Sequence, residues 1–293
     1  MEAIKIEKLT KYYGKARGVE NLDLTVEQGE FFGFIGPNGA GKSTTIRTLL
    51  GLIFPSSGRA WLLGRDIGGD RERLLRDVGC LPSEAVFYPG MRVRDILKLS
   101  ARLRGRDCAP EAERLCERLQ LDPTRKAEEL SFGNRKKTAI VCALQSEPAL
   151  LILDEPTGGL DPLMQREFFD ILRERSRQGT TVFLSSHILS EVQRNCGRAA
   201  VIRAGKIIAC GSVEDLARTS ARRVSLRGSV ALEGLEGLRD LRAEGESLSF
   251  LYTGDMDRLL RRLAGGSVRD LTITEPDLEE IFLHYYEKGG QEA

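Results

Sequence analysis

Residues Gly36-Pro37-Asn38-Gly39-Ala40-Gly41-Lys42-Ser43 spell G-x-x-x-x-G-K-S, and Thr44 follows. That pattern is a phosphate cradle. Its glycines let consecutive backbone N–H groups curl around phosphate oxygens, and a helix opening at the loop's end adds a favourable dipole. Lys42 would reach the β- and γ-phosphates of a nucleotide, and Ser43 would offer its hydroxyl to Mg2+. A second element lies further on, where the apolar run Leu150-Leu151-Ile152-Leu153 ends in Asp154-Glu155. Two carboxylates at a strand end are, by themselves, as readily a strand meeting solvent. Behind a phosphate loop they acquire roles: Asp154 beside the metal, Glu155 polarising an attacking water.

Those residues need a rigid support, and the sequence supplies one. Phe31-Phe32-Gly33-Phe34-Ile35 is a continuous apolar run just before the loop, which reads as a fully buried strand. Thr44–Leu50 reads as the helix after it, closed by Gly51. Leu150–Leu153, Thr181–Leu184 and Ala199–Arg203 read as further buried strands, with helices such as Leu163–Arg177 between them. Alternation of this kind implies a parallel sheet covered on both faces. Ala3–Glu7 and Leu22–Val26 alternate with period two instead and read as half-buried antiparallel strands. Residues 92–146, rich in Arg, Leu and Glu, read as a helical insertion, and Lys206–Gly211 closes the first domain. Beyond Arg222 a small α+β module is expected, with strands Arg223–Arg227, Ser247–Thr253 and Val268–Thr274 and helices Asp255–Leu263 and Asp277–Tyr286.

Composition narrows the classes. The chain has 293 residues, 44 Lys and Arg against 43 Asp and Glu, and a net charge of +1. With no surplus of cations for phosphates, a dedicated nucleic-acid binder is disfavoured. The basic run Arg135-Lys136-Lys137 reads as a solvated face. No apolar stretch approaches the roughly 18–20 residues that span a bilayer, and the start carries no signal-peptide pattern. Six scattered cysteines form no C-x-x-C pair, and His187 and His284 are the sole histidines, which speaks against zinc and for a reducing cytosol.

A third group of residues identifies a family. Leu130-Ser131-Phe132-Gly133-Asn134 opens a helix upstream of Asp154; Gly158-Gly159-Leu160-Asp161 and His187 come after it. With the phosphate loop and the Asp154-Glu155 strand, this ordered set over residues 1–215 resembles the nucleotide-binding subunits of ATP-binding-cassette (ABC) transporters. The resemblance implies an α/β P-loop NTPase cassette, a mixed sheet with an antiparallel part and a helical subdomain near 92–146, followed by an accessory α+β domain at 216–293. It implies ATP and Mg2+ as ligands, with Ser43, Asp154 and the loop residue Ser83 at the metal. Lys42, Glu155 and His187 become the catalytic set, His187 contacting the γ-phosphate. Tyr13, with Tyr12 as the alternative, takes the place of the aromatic that stacks on adenine. Residues 36–44 and Asp161 join the nucleotide contacts, and Ser131 and Gly133 touch the γ-phosphate held by another copy. A Ser-His-Asp hydrolase built from Ser185, His187 and Asp154 finds no nucleophile elbow in the sequence.

Two stretches depart from the family. Ser83 stands where glutamine is usual and is too short to reach a metal directly, so a water bridge or Glu84 takes that place. Phe132 and Asn134 replace the commonest signature residues, while Ser131 and Gly133 are kept. The wording around Leu160–Gln165 and the stretch Glu275–Leu283 looks like bacterial ABC-2-type exporter ATPases of the drug-resistance and bacitracin types. There Leu278, Ile281 and Phe282 share one helix face, for core packing or for a dimer or regulatory contact. The reading is an export ATPase subunit at the cytoplasmic face of the membrane, paired with a second ATP-binding subunit and driving a separate membrane-spanning permease, with no nucleic acid expected. The rivals are a soluble ABC ATPase acting on ribosome or DNA, and a nucleotide-gated regulatory module with little turnover. The single phosphate loop and the lack of a long coiled coil disfavour the first.

Overall fold

The computed structural model describes residues 1–217, 222–232 and 234–274. It divides into two units, Met1–Val213 and Glu214–Ala293.

The first unit opens with the hairpin β1 (Glu2–Tyr13) and β2 (Ala16–Glu27), turned at Gly14, whose φ of 60° favours glycine. β3 (Phe31–Ile35) then runs into the phosphate loop and α1 (Lys42–Leu49). β4 (Ser57–Leu62) returns to pair with β1, and the short β5 (Arg65–Asp66) extends that antiparallel sheet to the order β2-β1-β4-β5. α2 (Arg71–Leu75) leads to β6 (Val78–Leu81). The expected helical insertion comprises α3 (Val93–Arg104), α4 (Ala109–Arg118), a short turn of helix at Ala127–Glu129 and α5 (Phe132–Leu144). β7 (Leu150–Asp154), α6 (Pro162–Arg177), β8 (Thr181–Ser186), α7 (Leu189–Asn195), β9 (Arg198–Arg203) and β10 (Lys206–Ser212) complete the unit.

The central sheet has the order β10-β9-β3-β8-β7-β6. β3 lies between β8 and β9 and parallel to both, while β10 adds an antiparallel edge. Every residue of β3, β7 and β8 is buried, as unbroken apolar strands covered on both faces must be. Phe183 packs between Phe32 and Phe34, with ring centroids 6.0 and 5.3 Å away. The carboxyl ends of β3, β7 and β8 therefore lie side by side on a rigid floor, and the candidate residues hang from them. α4 is fastened to α6 by ion pairs, Arg118 with Glu167 at 2.6 Å and with Glu174 at 2.5 Å, and the buried Arg175 with Glu111.

The second unit holds α8 (Val213–Ala217), which begins at the boundary, and a sheet of order β12-β13-β11-β14. Its elements are β11 (Arg222–Ser229), β12 (Leu238–Glu244), β13 (Ser247–Tyr252), α9 (Met256–Ala264) and β14 (Ser267–Thr274). Leu259 and Leu263 of α9 cover Val224, Leu226, Phe250 and Tyr252 of the sheet. β12 is absent from the sequence reading. It is an edge strand with no buried residue, so the period-two signal has nothing to come from. The expected helix Asp277–Tyr286 lies outside the described residues.

Candidate nucleotide site

β3 delivers the chain to Gly36 at the centre of the sheet. A Cβ there would lie 2.3 Å from the Ile202 carbonyl oxygen, so the turn tolerates no side chain. Gly41 caps α1 with φ 111° and makes no side-chain capping bond, which leaves the first-turn N–H groups of α1 for a ligand. Helix α1 thus begins at Lys42, earlier than the apolar pattern from Thr44 suggests. The Lys42 side chain is buried and curls back over the loop. Its Nζ donates to the carbonyl oxygens of Gly36 at 2.7 Å and Pro37 at 3.2 Å, and lies 3.3 Å from Glu155 Oε1.

Around this ammonium is a cavity of about 220 Å3 lined by Tyr13, Arg17, Gly18, Asn38, Gly39, Gly41, Lys42, Ser43, Thr44 and Glu155. Of the two candidate tyrosines, Tyr13 lines it; the Tyr12 hydroxyl instead donates to Glu20 at 2.9 Å. Pro37 and Ala40 shape the loop from behind, the Ala40 N–H donating to the Pro37 carbonyl at 3.1 Å. Arg17 and Gly18 were not anticipated. They enter because the hairpin register sets Arg17 opposite Tyr12, a pairing invisible to local spacing.

Asp154 ends β7 fully within the fold, and the buried Ser185 hydroxyl donates to its Oδ1 at 3.0 Å. With Ser185 fully buried and turned to Asp154, and His187 facing Glu155, the three residues form no Ser-His-Asp relay. Glu155 has φ 46°, a left-handed conformation that costs a non-glycine residue about 1 kcal/mol or more. It is held from both sides: its N–H donates to the Ser185 carbonyl at 3.1 Å, and its carbonyl accepts from Lys136 Nζ at 3.0 Å. Its Oε1 faces His187 Nδ1 at 3.2 Å as well as Lys42. Lys42, Glu155 and His187 therefore form one contiguous polar chain from the phosphate loop outward.

Lys136 corrects the reading of Arg135-Lys136-Lys137 as a solvated face. Arg135 is exposed, but Lys136 is 2% exposed and donates to the carbonyls of Pro82 at 3.1 Å, Ser83 at 3.0 Å and Glu155. Burial pushes its amine down to about 8, against the opposing pull of the Asp154 and Glu155 charges. Glu191 is a second unanticipated buried charge. It accepts from Thr157 Oγ1 at 2.6 Å and Ser186 Oγ at 2.7 Å, tying the segment before Asp161 to the one before His187.

Ser131 and Gly133 do not line the cavity. Ser131 caps α5, its hydroxyl accepting from the Asn134 N–H at 3.3 Å on the exposed surface. Gly133 approaches Gly159 so closely that a Cβ would lie 2.7 Å from the Gly159 carbonyl oxygen, and the half-exposed Phe132 ring covers Gly159. Asp161 spends its side chain on capping α6, accepting from the Met164 N–H at 3.0 Å.

The profile of the ABC transporter family matches residues 19–158. Over 96% of this chain and 96% of the relative, the sequence is 32% identical to the bacitracin transport ATP-binding protein BcrA of Bacillus licheniformis. At the same coverages it is 36% identical to the Nod factor export ATP-binding protein I of Cupriavidus metallidurans. A solved ATP-binding subunit of an ABC transporter superposes with a TM-score of 0.69 and 31% identity, over 73% of this chain and 91% of that one. A phosphate loop on the central strand β3, paired carboxylates at the end of β7, one strand beyond its neighbour β8, and relatives matching over 96% of the chain agree: the chain belongs to the ABC transporter family, as one of its ATP-binding, ATP-hydrolysing subunits.

Proposed function

We propose that this chain is the motor subunit of an exporter, two ATP-binding subunits closing head to tail around two ATP at the cytoplasmic face of the membrane. The observation that carries the reading is a divided site. Lys42, Glu155 and His187 are linked at the phosphate loop, whereas Ser131 and Gly133 sit on an exposed helix start outside the same cavity. A helix N-terminus with a serine and a small residue is an anion site, and a second copy is what brings a γ-phosphate to it. Lys42 would neutralise charge developing on the phosphates. Glu155 would accept a hydrogen bond from the attacking water, and His187 would hold that water in line from the other side of the carboxylate. Tyr13 would stack on adenine at the cavity mouth.

Mg2+ fits the donors present. Ser43 and Asp154 offer oxygen alone, and among the described residues no cluster of three or more His, Cys, Asp and Glu forms a closed cage. A cation that keeps water and takes phosphate oxygens suits such an open set. When bound, it supplies further neutralisation of phosphate charge. Ser185 fixes the direction of Asp154 for that contact. Ser83, shorter than the glutamine usual in the family, would act through water. Replacing Ser83 by glutamine is expected to leave ATP affinity within about a factor of two, a difference under ~0.5 kcal/mol. Equilibrium titration with a fluorescent ATP analogue checks this; a large change would mean that the loop contributes to binding.

Among the described residues no helix is long and apolar enough to cross a membrane, so the work would be passed to a permease. An apolar groove of about 480 Å3 beside α3 is its proposed seat, with Val86, Tyr88 and Leu103 standing 89, 73 and 73% exposed. Residues 216–293 would form the accessory domain. The test is co-purification of a tagged Glu155→Gln chain, with ATP and mild detergent, from its host's membranes. A multi-span membrane protein in stoichiometric amount supports the reading. Ribosomal or DNA-repair proteins without one overturn it in favour of a soluble ABC ATPase.

A further inference from the structure

Lys136 is among the most deeply buried large side chains of the protein, yet it touches no carboxylate oxygen in its hydrogen bonding. All three of its bonds go to backbone carbonyls. An ammonium has three donors radiating from one atom, so Lys136 spends its whole capacity on Pro82, Ser83 and Glu155. These belong to two separate segments, the turn after β6 and the end of β7, and Lys136 itself belongs to a third, the first turns of α5 behind the Ser131 cap. One charged group therefore ties three elements that nothing in local sequence connects.

The Glu155 end of this clamp has chemical consequences. At φ 46° the Glu155 peptide is in a conformation that its neighbours must enforce. Two bonds enforce it, from its own N–H to Ser185 and from Lys136 to its carbonyl. The direction of the Glu155 side chain, and with it the 3.3 and 3.2 Å approaches of Oε1 to Lys42 and His187, follows from that backbone. A neutral side chain at position 136 could not satisfy three converging carbonyls. An arginine brings more donors, but in a planar fork that cannot aim them from a single point.

We propose that Lys136 is a positioning residue for hydrolysis: by holding the Glu155 carbonyl and the Pro82–Ser83 carbonyls on one ammonium, it sets the aim of the Glu155 carboxylate and links that aim to the start of α5. This rests on the reading of Glu155 as the group that activates water. The clamp leaves the phosphate loop alone, so its loss affects turnover and not nucleotide capture.

Lys136→Gln, Lys136→Met and Lys136→Arg in the full chain test this, each read by thermal melting, by equilibrium binding of a fluorescent ATP analogue, and by kcat and KM for phosphate release. The glutamine and methionine variants are expected to lose about tenfold or more in kcat, the scale on which small misplacements of a reacting group act. Their ATP affinity should stay within about a factor of two. Losses of kcat and affinity in step with a lowered melting temperature would show a merely structural lysine, as would an unchanged kcat in folded protein, and either overturns the proposal. Should the methionine variant fail to fold, the arginine variant decides by the same split, since it keeps the charge and loses the convergence.

A double substitution separates this proposal from the one beneath it. If Lys136 acts through Glu155, adding Lys136→Met to Glu155→Gln leaves the residual rate of Glu155→Gln unchanged. A further drop of the full single-variant size sinks the positioning role. If Glu155→Gln alone hydrolyses normally, it is the role of Glu155 that fails.

Discussion

A Glu155→Gln chain is expected to bind ATP, hydrolyse it about 100- to 1,000-fold more slowly, and accumulate as an ATP-dependent dimer. Glutamine matches the shape of Glu155 and keeps a side-chain oxygen where Oε1 faces Lys42 and His187, so the cavity wall stays intact. What it cannot do is take a proton from water. Removing the carboxylate charge also releases Lys42 from its 3.3 Å partner, leaving the full ammonium charge to the phosphates. Binding should therefore be equal or tighter while turnover stops, and the closed state, which hydrolysis would reopen, should persist. Phosphate release measured alongside size-exclusion chromatography with and without ATP checks both halves. A monomer in both conditions, with ATP demonstrably bound, would remove the two-copy site and the roles given to Ser131 and Gly133. Wild-type turnover would remove Glu155 as the water-activating group.

How far the sequence carries the site depends on whether its parts are joined along the chain or across it. The phosphate loop is legible because strand, glycines, lysine and helix are contiguous, and its glycines answer either to a close approach, such as the Ile202 carbonyl behind Gly36, or to a positive φ, as at Gly39. The buried strands are legible because a parallel sheet wrapped on both faces leaves no polar alternation. Lys136 is the opposite case. A lysine between Arg135 and Lys137 carries the pattern of a solvated face, and its three acceptors lie 19, 53 and 54 residues away as backbone carbonyls. Carbonyls have no sequence signature, so nothing marks this position as buried. Glu191 is hidden by distance along the chain, one of its hydroxyl donors, Thr157, lying 34 residues away. Arg17 reaches the cavity only through hairpin register. Ser131 and Gly133, legible as family residues, lie outside the cavity of their own chain.

Lys42→Ala should weaken ATP binding by roughly 10- to 150-fold, the equivalent of ~1.5–3 kcal/mol for one hydrogen bond to a charged group. Two losses stand behind that figure. The direct one is the ammonium itself, the one buried cation lining the cavity among the described residues. The indirect one is the loop's shape, because Lys42 Nζ spans the carbonyls of Gly36 and Pro37 and holds their oxygens away from incoming phosphate. Without it those carbonyls and the Glu155 carboxylate present negative charge to an anion. Lys42→Arg separates the two contributions. It restores the charge, but its planar fork cannot occupy the point inside the loop where Nζ sits, so affinity should recover only in part. Titration of a fluorescent ATP analogue reads both variants. Unchanged affinity in Lys42→Ala would contradict the assignment of the loop as the nucleotide's phosphate site. Full recovery in Lys42→Arg would show that charge alone matters and that the hold on Gly36 and Pro37 does not.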